Sequence, residues 1–81
     1  MTLSIISQDG VVYNYSNAVS RLVTGESDDG RTFGFMVFLN DDSENFIVVA
    51  EYDDETKFNA VREDFMKWLR DSIDATFVFP S

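Results

Sequence analysis

The sequence predicts an α+β fold: an antiparallel four-stranded meander, a C-terminal amphipathic helix on one face, and a short final strand (β-β-β-β-α-β). Three observations carry this. Segments 32–39 (TFGFMVFL) and 46–51 (FIVVAE) are short, apolar on both faces and bounded by polar turns, as buried strands are. The stretch 55–73 contains no Gly or Pro and repeats its apolar residues at helical spacing. The connections between extended segments are short, which makes neighbouring strands antiparallel.

Taken in order, Leu3 to Ser7 is apolar-rich and runs into Gln8-Asp9-Gly10. An Asp-Gly step between extended segments favours a tight hairpin turn with positive φ at both central positions. Val11, Val12, Tyr13 and Tyr15 resume the extended pattern, and Asn14, Ser16 and Asn17 predict a bulge or turn before Ala18 to Thr24 continues it. Gly25 to Arg31 is a polar loop. In the third strand, Phe33, Phe35, Val37 and Leu39 share one face, with Met36 and Phe38 on the other. Asn40 to Asn45 is a second polar turn, and Phe46 to Glu51 is the fourth strand. Asp54 suits a helix N-cap, with Glu55 well placed in the first turn. Phe58, Val61, Phe65, Trp68, Leu69 and Ile73 then form one apolar stripe on a helix spanning 55–73. Thr76 to Phe79 reads as an edge strand stopped by Pro80.

At 81 residues the chain is one domain, 1–81, because a second core does not fit this length. The eight Phe, three Tyr and one Trp supply the large buried areas that so short a chain needs. Neither Cys nor His occurs. That removes disulfides, thiolate sites, the commonest general base and the commonest metal ligand. The expectation is a protein with no catalytic residues and no cofactor. The first residues lack a positive n-region and a long apolar h-region, and no run approaches the ~18 apolar residues of a membrane span. A cytoplasmic location with no membrane partner is expected.

The net charge of −9 disfavours direct binding to nucleic acid or anionic lipid. The charge is unevenly placed. In 55–73, four acids face four bases, so the helix is neutral, whereas residues 1–54 carry ten acids against Arg21 and Arg31 alone. The acidity belongs to the turns. A simple meander puts the 8–10 and 40–45 turns at one end and the 25–31 loop with the 51–55 corner at the other.

One metal pattern is present. Counted from Asn40, the residues Asn40, Asp42, Glu44 and Glu51 fall at positions 1, 3, 5 and 12 of a calcium-type loop, but Asn45 replaces the usual glycine and strands flank it. Glu51, Asp53, Asp54 and Glu55 form a carboxylate cluster that a helix N-terminus attracts in any case.

The more informative feature is an imbalance. One helix covers one face of the sheet, yet the central strands are apolar on both. Met36, Phe38, Ile47 and Val49, or the opposite set, therefore need another cover. A strongly curled sheet with Thr76 to Phe79 supplies one from within the chain. A protein partner supplies another, most simply a homodimer through the open face or an unpaired edge strand.

Three further stretches, Ser7-Gln8-Asp9, Tyr13-Asn14-Tyr15-Ser16-Asn17-Ala18-Val19 and Glu51-Tyr52-Asp53-Asp54-Glu55, carry a resemblance. In this order the chain resembles a group of short, largely uncharacterised proteins of Gram-positive bacteria and their mobile elements. Those proteins read Ser-Gln-Asp, then Tyr-Asn-Tyr-Asp-Asn-Val, then Gly-Glu-Tyr-Asp-Thr-Glu-Glu opening a C-terminal helix. This chain departs from the pattern at Ser16, Ala50 and Trp68. The resemblance implies a bacterial or phage-related cytoplasmic protein with a small sheet and a helix, and it carries no active site.

The function expected is a non-enzymatic protein-interaction module, self-associating through an apolar sheet face or edge. The alternative is an acidic mimic of nucleic acid that inhibits a DNA- or RNA-binding protein.

Overall fold

A turn at residues 14–18 decides the architecture. The structure, a computed structural model, describes residues 2–71 and 75–81. Strand β1 (Ser4–Ile6) pairs antiparallel with β2 (Val12–Asn14). The chain then turns before β3 (Val19–Glu26), β4 (Phe33–Leu39) and β5 (Asp42–Tyr52), which form a separate antiparallel meander. Helix α1 (Glu55–Asp71) follows, and β6 (Thr76–Val78) returns to lie parallel to β1. The fold is therefore α+β with two three-stranded sheets, β2-β1-β6 and β3-β4-β5, instead of one four-stranded meander.

Asn14 is the physical reason for the split. Its carbonyl accepts from the Ala18 N–H at 2.9 Å and its side-chain oxygen from the Asn17 N–H at 3.0 Å, closing a full turn where an interruption within one strand was expected. Leu3 clamps the same turn: its carbonyl accepts from the Tyr15 N–H at 2.8 Å and its N–H donates to Ser16 Oγ at 2.8 Å. Beyond the turn β3 pairs with β4 and not with β2, so it opens the second sheet.

Two other turns share one design, Ser-x-Asp-Gly. In Ser7-Gln8-Asp9-Gly10 the Gly10 N–H donates to the Ser7 carbonyl at 3.0 Å, and in Ser27-Asp28-Asp29-Gly30 the Gly30 N–H donates to the Ser27 carbonyl at 2.9 Å. Each serine hydroxyl donates to the turn aspartate, and each glycine has positive φ, 87° and 70°. The first turn is thus centred on Gln8 and Asp9, one residue earlier than the Asp-Gly step suggested. The glycine takes the left-handed position that follows it.

The core lies between α1 and the inner faces of both sheets. Phe58, Val61, Phe65 and Trp68 are its buried helix stripe. Phe58 meets Phe33 and Phe35 of the meander, with centroids 5.3 and 5.1 Å apart, while Trp68 meets Phe77 of the first sheet at 5.6 Å. One helix therefore covers two sheets, its N-terminal part over one and its C-terminal part over the other. Asp54 caps it, with Oδ1 accepting from the Thr56 N–H at 2.8 Å. The expected end of the helix at Ile73 lies outside the described residues.

Candidate interaction surface

The side of β3-β4-β5 that faces away from α1 is the surface the imbalance pointed to. Its composition follows from register. Arg21 pairs with Phe38, Val23 with Met36, and Gly25 with Gly34 across β3 and β4; Met36 pairs with Val48 and Gly34 with Glu51 across β4 and β5. Phe46 completes the pattern, its ring 6.2 Å from that of Phe38. The face is a grid with three rows: Arg21-Phe38-Phe46, Val23-Met36-Val48 and Gly25-Gly34-Glu51. Phe46 is 55% exposed and Val48 46%, and neither Met36 nor Phe38 belongs to the residues packed against the core. The two ends differ in height. Aromatic rings stand at one; at the other the paired glycines leave a hollow of about 180 Å³ bordered by Met36, Val48, Glu26, Ser27, Thr32 and Glu51.

A β-bulge corrects half of the predicted interface set. Phe35 pairs with Ala50 while Met36 pairs with Val48, so β5 carries one extra residue there. Val49 and Ala50 consequently both turn inward, each only 2% exposed. Val49 is a core residue. Ile47 pairs with Val37 on the same inner side, although it remains 36% exposed. Met36 and Phe38 stand on the open face as one of the two predicted sets had them, but their neighbours are Phe46 and Val48. Strict alternation gave two self-consistent sets for β5, and only the pairing register chooses between them.

The bulge also joins the two sheets. The Gln8 N–H donates to the Val49 carbonyl at 2.9 Å, the Glu51 N–H donates to Gln8 Oε1 at 2.8 Å, and Gln8 Nε2 donates to the Pro80 carbonyl at 3.0 Å. The turn bearing Asp9 therefore abuts β5 at Val49–Glu51, not the 40–45 turn where a simple meander would put it. With Glu26 paired to Phe33 and Phe33 to Tyr52, the acids of the 26–29 loop and the 51–55 corner share that end of the molecule.

The calcium-type pattern is not brought together. Leu39 pairs with Asp42, so Asn40 and Asp41 alone form the turn and β5 begins at once. Glu51 lies opposite Gly34, nine residues along that strand from Asp42, which is roughly 30 Å of extended chain. Asn40 Nδ2 instead binds the Asn17 carbonyl. Among the described residues no three acidic side chains are grouped to hold a metal ion. In the carboxylate cluster, Asp54 is occupied as the helix cap and Glu51 sits at a corner of the open face.

The residues that sequence reasoning missed on this face are Arg21, Val23, Phe46 and Val48. Arg21 and Val23 were discernible as alternate positions of one strand. Phe46 and Val48 were hidden by an unbroken apolar run, 46–50, that gives no parity. Arg21 lies over the Phe38 ring, 4.1 Å from its centroid, and no ion-pair partner for it occurs among the described residues.

No helix among the described residues is long and apolar enough to cross a membrane. Comparison with family models, with curated proteins and with solved structures returned no match to this chain.

Proposed function

We propose that this chain is a non-enzymatic protein-interaction module that self-associates through the open face of β3-β4-β5. The observation that supports it is the apolar grid of Val23, Met36, Phe38, Phe46 and Val48 on the side away from the helix, with Phe46 and Val48 exposed and the other three half-buried. A contiguous apolar patch on a small domain marks an interface more often than it serves solubility. The outer face of the other sheet is a useful contrast. There a single apolar row, Val12-Ile6-Val78, is followed by the polar row Asn14-Ser4-Thr76. Sedimentation equilibrium of the wild type and of Phe46→Asp tests the proposal. The wild type is expected to dimerise in the micromolar range and the variant to stay monomeric. A monomeric wild type at hundreds of micromolar, together with no uptake of a polarity-sensitive dye, counts against it.

A second reading has its own observation. Asp9, Glu26, Asp28, Asp29, Asp53 and Asp54 gather toward one end of the molecule, as an acidic mimic of nucleic acid requires. Mimicry predicts capture of a cationic nucleic-acid-binding protein that weakens steeply as salt rises. Capture that is indifferent to salt speaks against mimicry.

A further inference from the structure

Resting on the self-association reading, we propose that the occupant of the open face is the same face of a second copy. The two are related by a twofold axis through Met36, which sets Arg21 of each copy against Glu51 of the other. The argument begins with charge. The chain carries −9, so two copies repel over most of their surfaces. The open face, like the charge-balanced helix, stands outside that acidity. Its grid holds one cation, Arg21, and one anion, Glu51, at diagonally opposite corners with uncharged residues between them, and Glu26 also lines the hollow at the Glu51 end. The diagonal pattern is complementary to itself, because the twofold that exchanges the corners makes both ion pairs at once.

Shape agrees with charge. Successive rows of a strand face are ~6.8 Å apart and neighbouring strands ~4.8 Å, so the grid measures roughly 14 by 10 Å between its outer Cα positions. Exchanging the Arg21 and Glu51 corners then makes the strands of the two copies cross at roughly 70°, nearer to orthogonal than to aligned sheet packing. In that arrangement Phe38, travelling with Arg21, comes over Val48 at the rim of the glycine hollow. Val23 comes over Gly34 within it. The high end of one copy thus fills the low end of the other. The missing side chains at Gly25 and Gly34 have a purpose here: a Cβ on Gly25 would meet Met36 Cε at 3.2 Å and raise the floor of the hollow. A patch this small lies at the low end of specific interfaces, so the pair is weak and exchanges readily, with a Kd on the order of micromolar to tens of micromolar.

Reciprocal charge exchange tests the arrangement, read by sedimentation equilibrium with circular dichroism to verify folding. Arg21→Glu and Glu51→Arg are each expected to raise the dimer Kd by about tenfold, and the double variant to restore it toward the wild-type value. Glu51→Arg is the sharper arm. It lowers the net negative charge, so general repulsion alone would make it tighten the dimer, whereas the pairing makes it weaken. A dimer tightened by Glu51→Arg, unaffected by either single variant, or not restored in the double variant overturns the pairing. If the dimer also survives Phe46→Asp, the open face itself is not the interface, and the broader reading fails with it.

Discussion

The Arg21 guanidinium lies 4.1 Å from the centroid of the Phe38 ring, on the side of the meander that the helix leaves bare. This places a cation against an apolar face, at the β3 end of the row that finishes in Phe46 on β5. An exposed cation–π contact of this kind contributes about 0.5–1 kcal/mol. Arg21→Ala is accordingly expected to lower monomer stability by no more than that, while weakening self-association. Urea denaturation at low protein concentration measures the first effect and sedimentation the second.

The two sides of the same sheet have opposite sensitivities. Phe35 is 0% exposed and its ring lies within 6.4 Å of those of Tyr52, Phe58, Phe65 and Phe79, whereas Phe46 is 55% exposed. Phe35→Ala should cost about 3–5 kcal/mol, enough to populate the unfolded state of a small domain. Phe46→Ala should change monomer stability by about 0.5 kcal/mol or less. The shift in urea midpoint distinguishes them.

Gly10 and Gly30 hold φ of 87° and 70°, and a Cβ added at either would meet no atom within 4 Å. The cost of Gly10→Ala or Gly30→Ala is therefore one of backbone conformation alone, about 1 kcal/mol each. The two positions lie in separate turns, so the double variant should lose close to the sum. Thermal melts of the two single variants and the double variant check this.

Tyr15, Tyr52 and Asp29 link stability to pH. Burial raises the Tyr15 and Tyr52 phenols above the ordinary 10.0, opposed at Tyr52 by a hydrogen bond with Gln8. The folded state holds these protons more tightly than the unfolded chain, so their contribution is complete below pH 10.0 and is lost as pH rises through the raised folded values. At the acid end, hydrogen bonds from Ser27 and from the Arg31 backbone lower the Asp29 carboxyl below its ordinary 3.8. Its contribution is present above that value and is lost as pH falls through the lower folded one. Tyr52→Phe should flatten part of the alkaline limb of a denaturation–pH curve, and Asp29→Asn part of the acid limb.

The elements with a strong local period were legible in the sequence, and the relationships between them were not. The stripe Phe58, Val61, Phe65 and Trp68 located the helix, because 3.6-residue spacing is written in the chain itself. Phe33 to Leu39 located β4, where alternation separates Phe35 and Val37 from Met36 and Phe38. Two kinds of information were missing. Asn14 looks the same in sequence whether it makes a bulge or a full turn, and that choice split the meander into two sheets. The bulge at Val49–Ala50 lies in an unbroken apolar run, so nothing local revealed that parity changes there. It is fixed by a residue over forty positions away, since the Val49 carbonyl accepts from the Gln8 N–H. The alternation of β4 puts Met36 and Phe38 on one side of the strand, while the β5 residues beside them required the register.

The most direct measurement of the open face as an interface is an isotope-filtered NOE experiment on an equimolar mixture of methionine-methyl-labelled and unlabelled protein. Met36 lies at the centre of the grid, and Met66, exposed on the helix, is an internal control. The Met36 methyl is predicted to show intermolecular NOEs to aromatic protons of the unlabelled copy that grow with concentration, and the Met66 methyl none. Intermolecular NOEs confined to Met66, or a dimer by sedimentation with none at Met36, would contradict it.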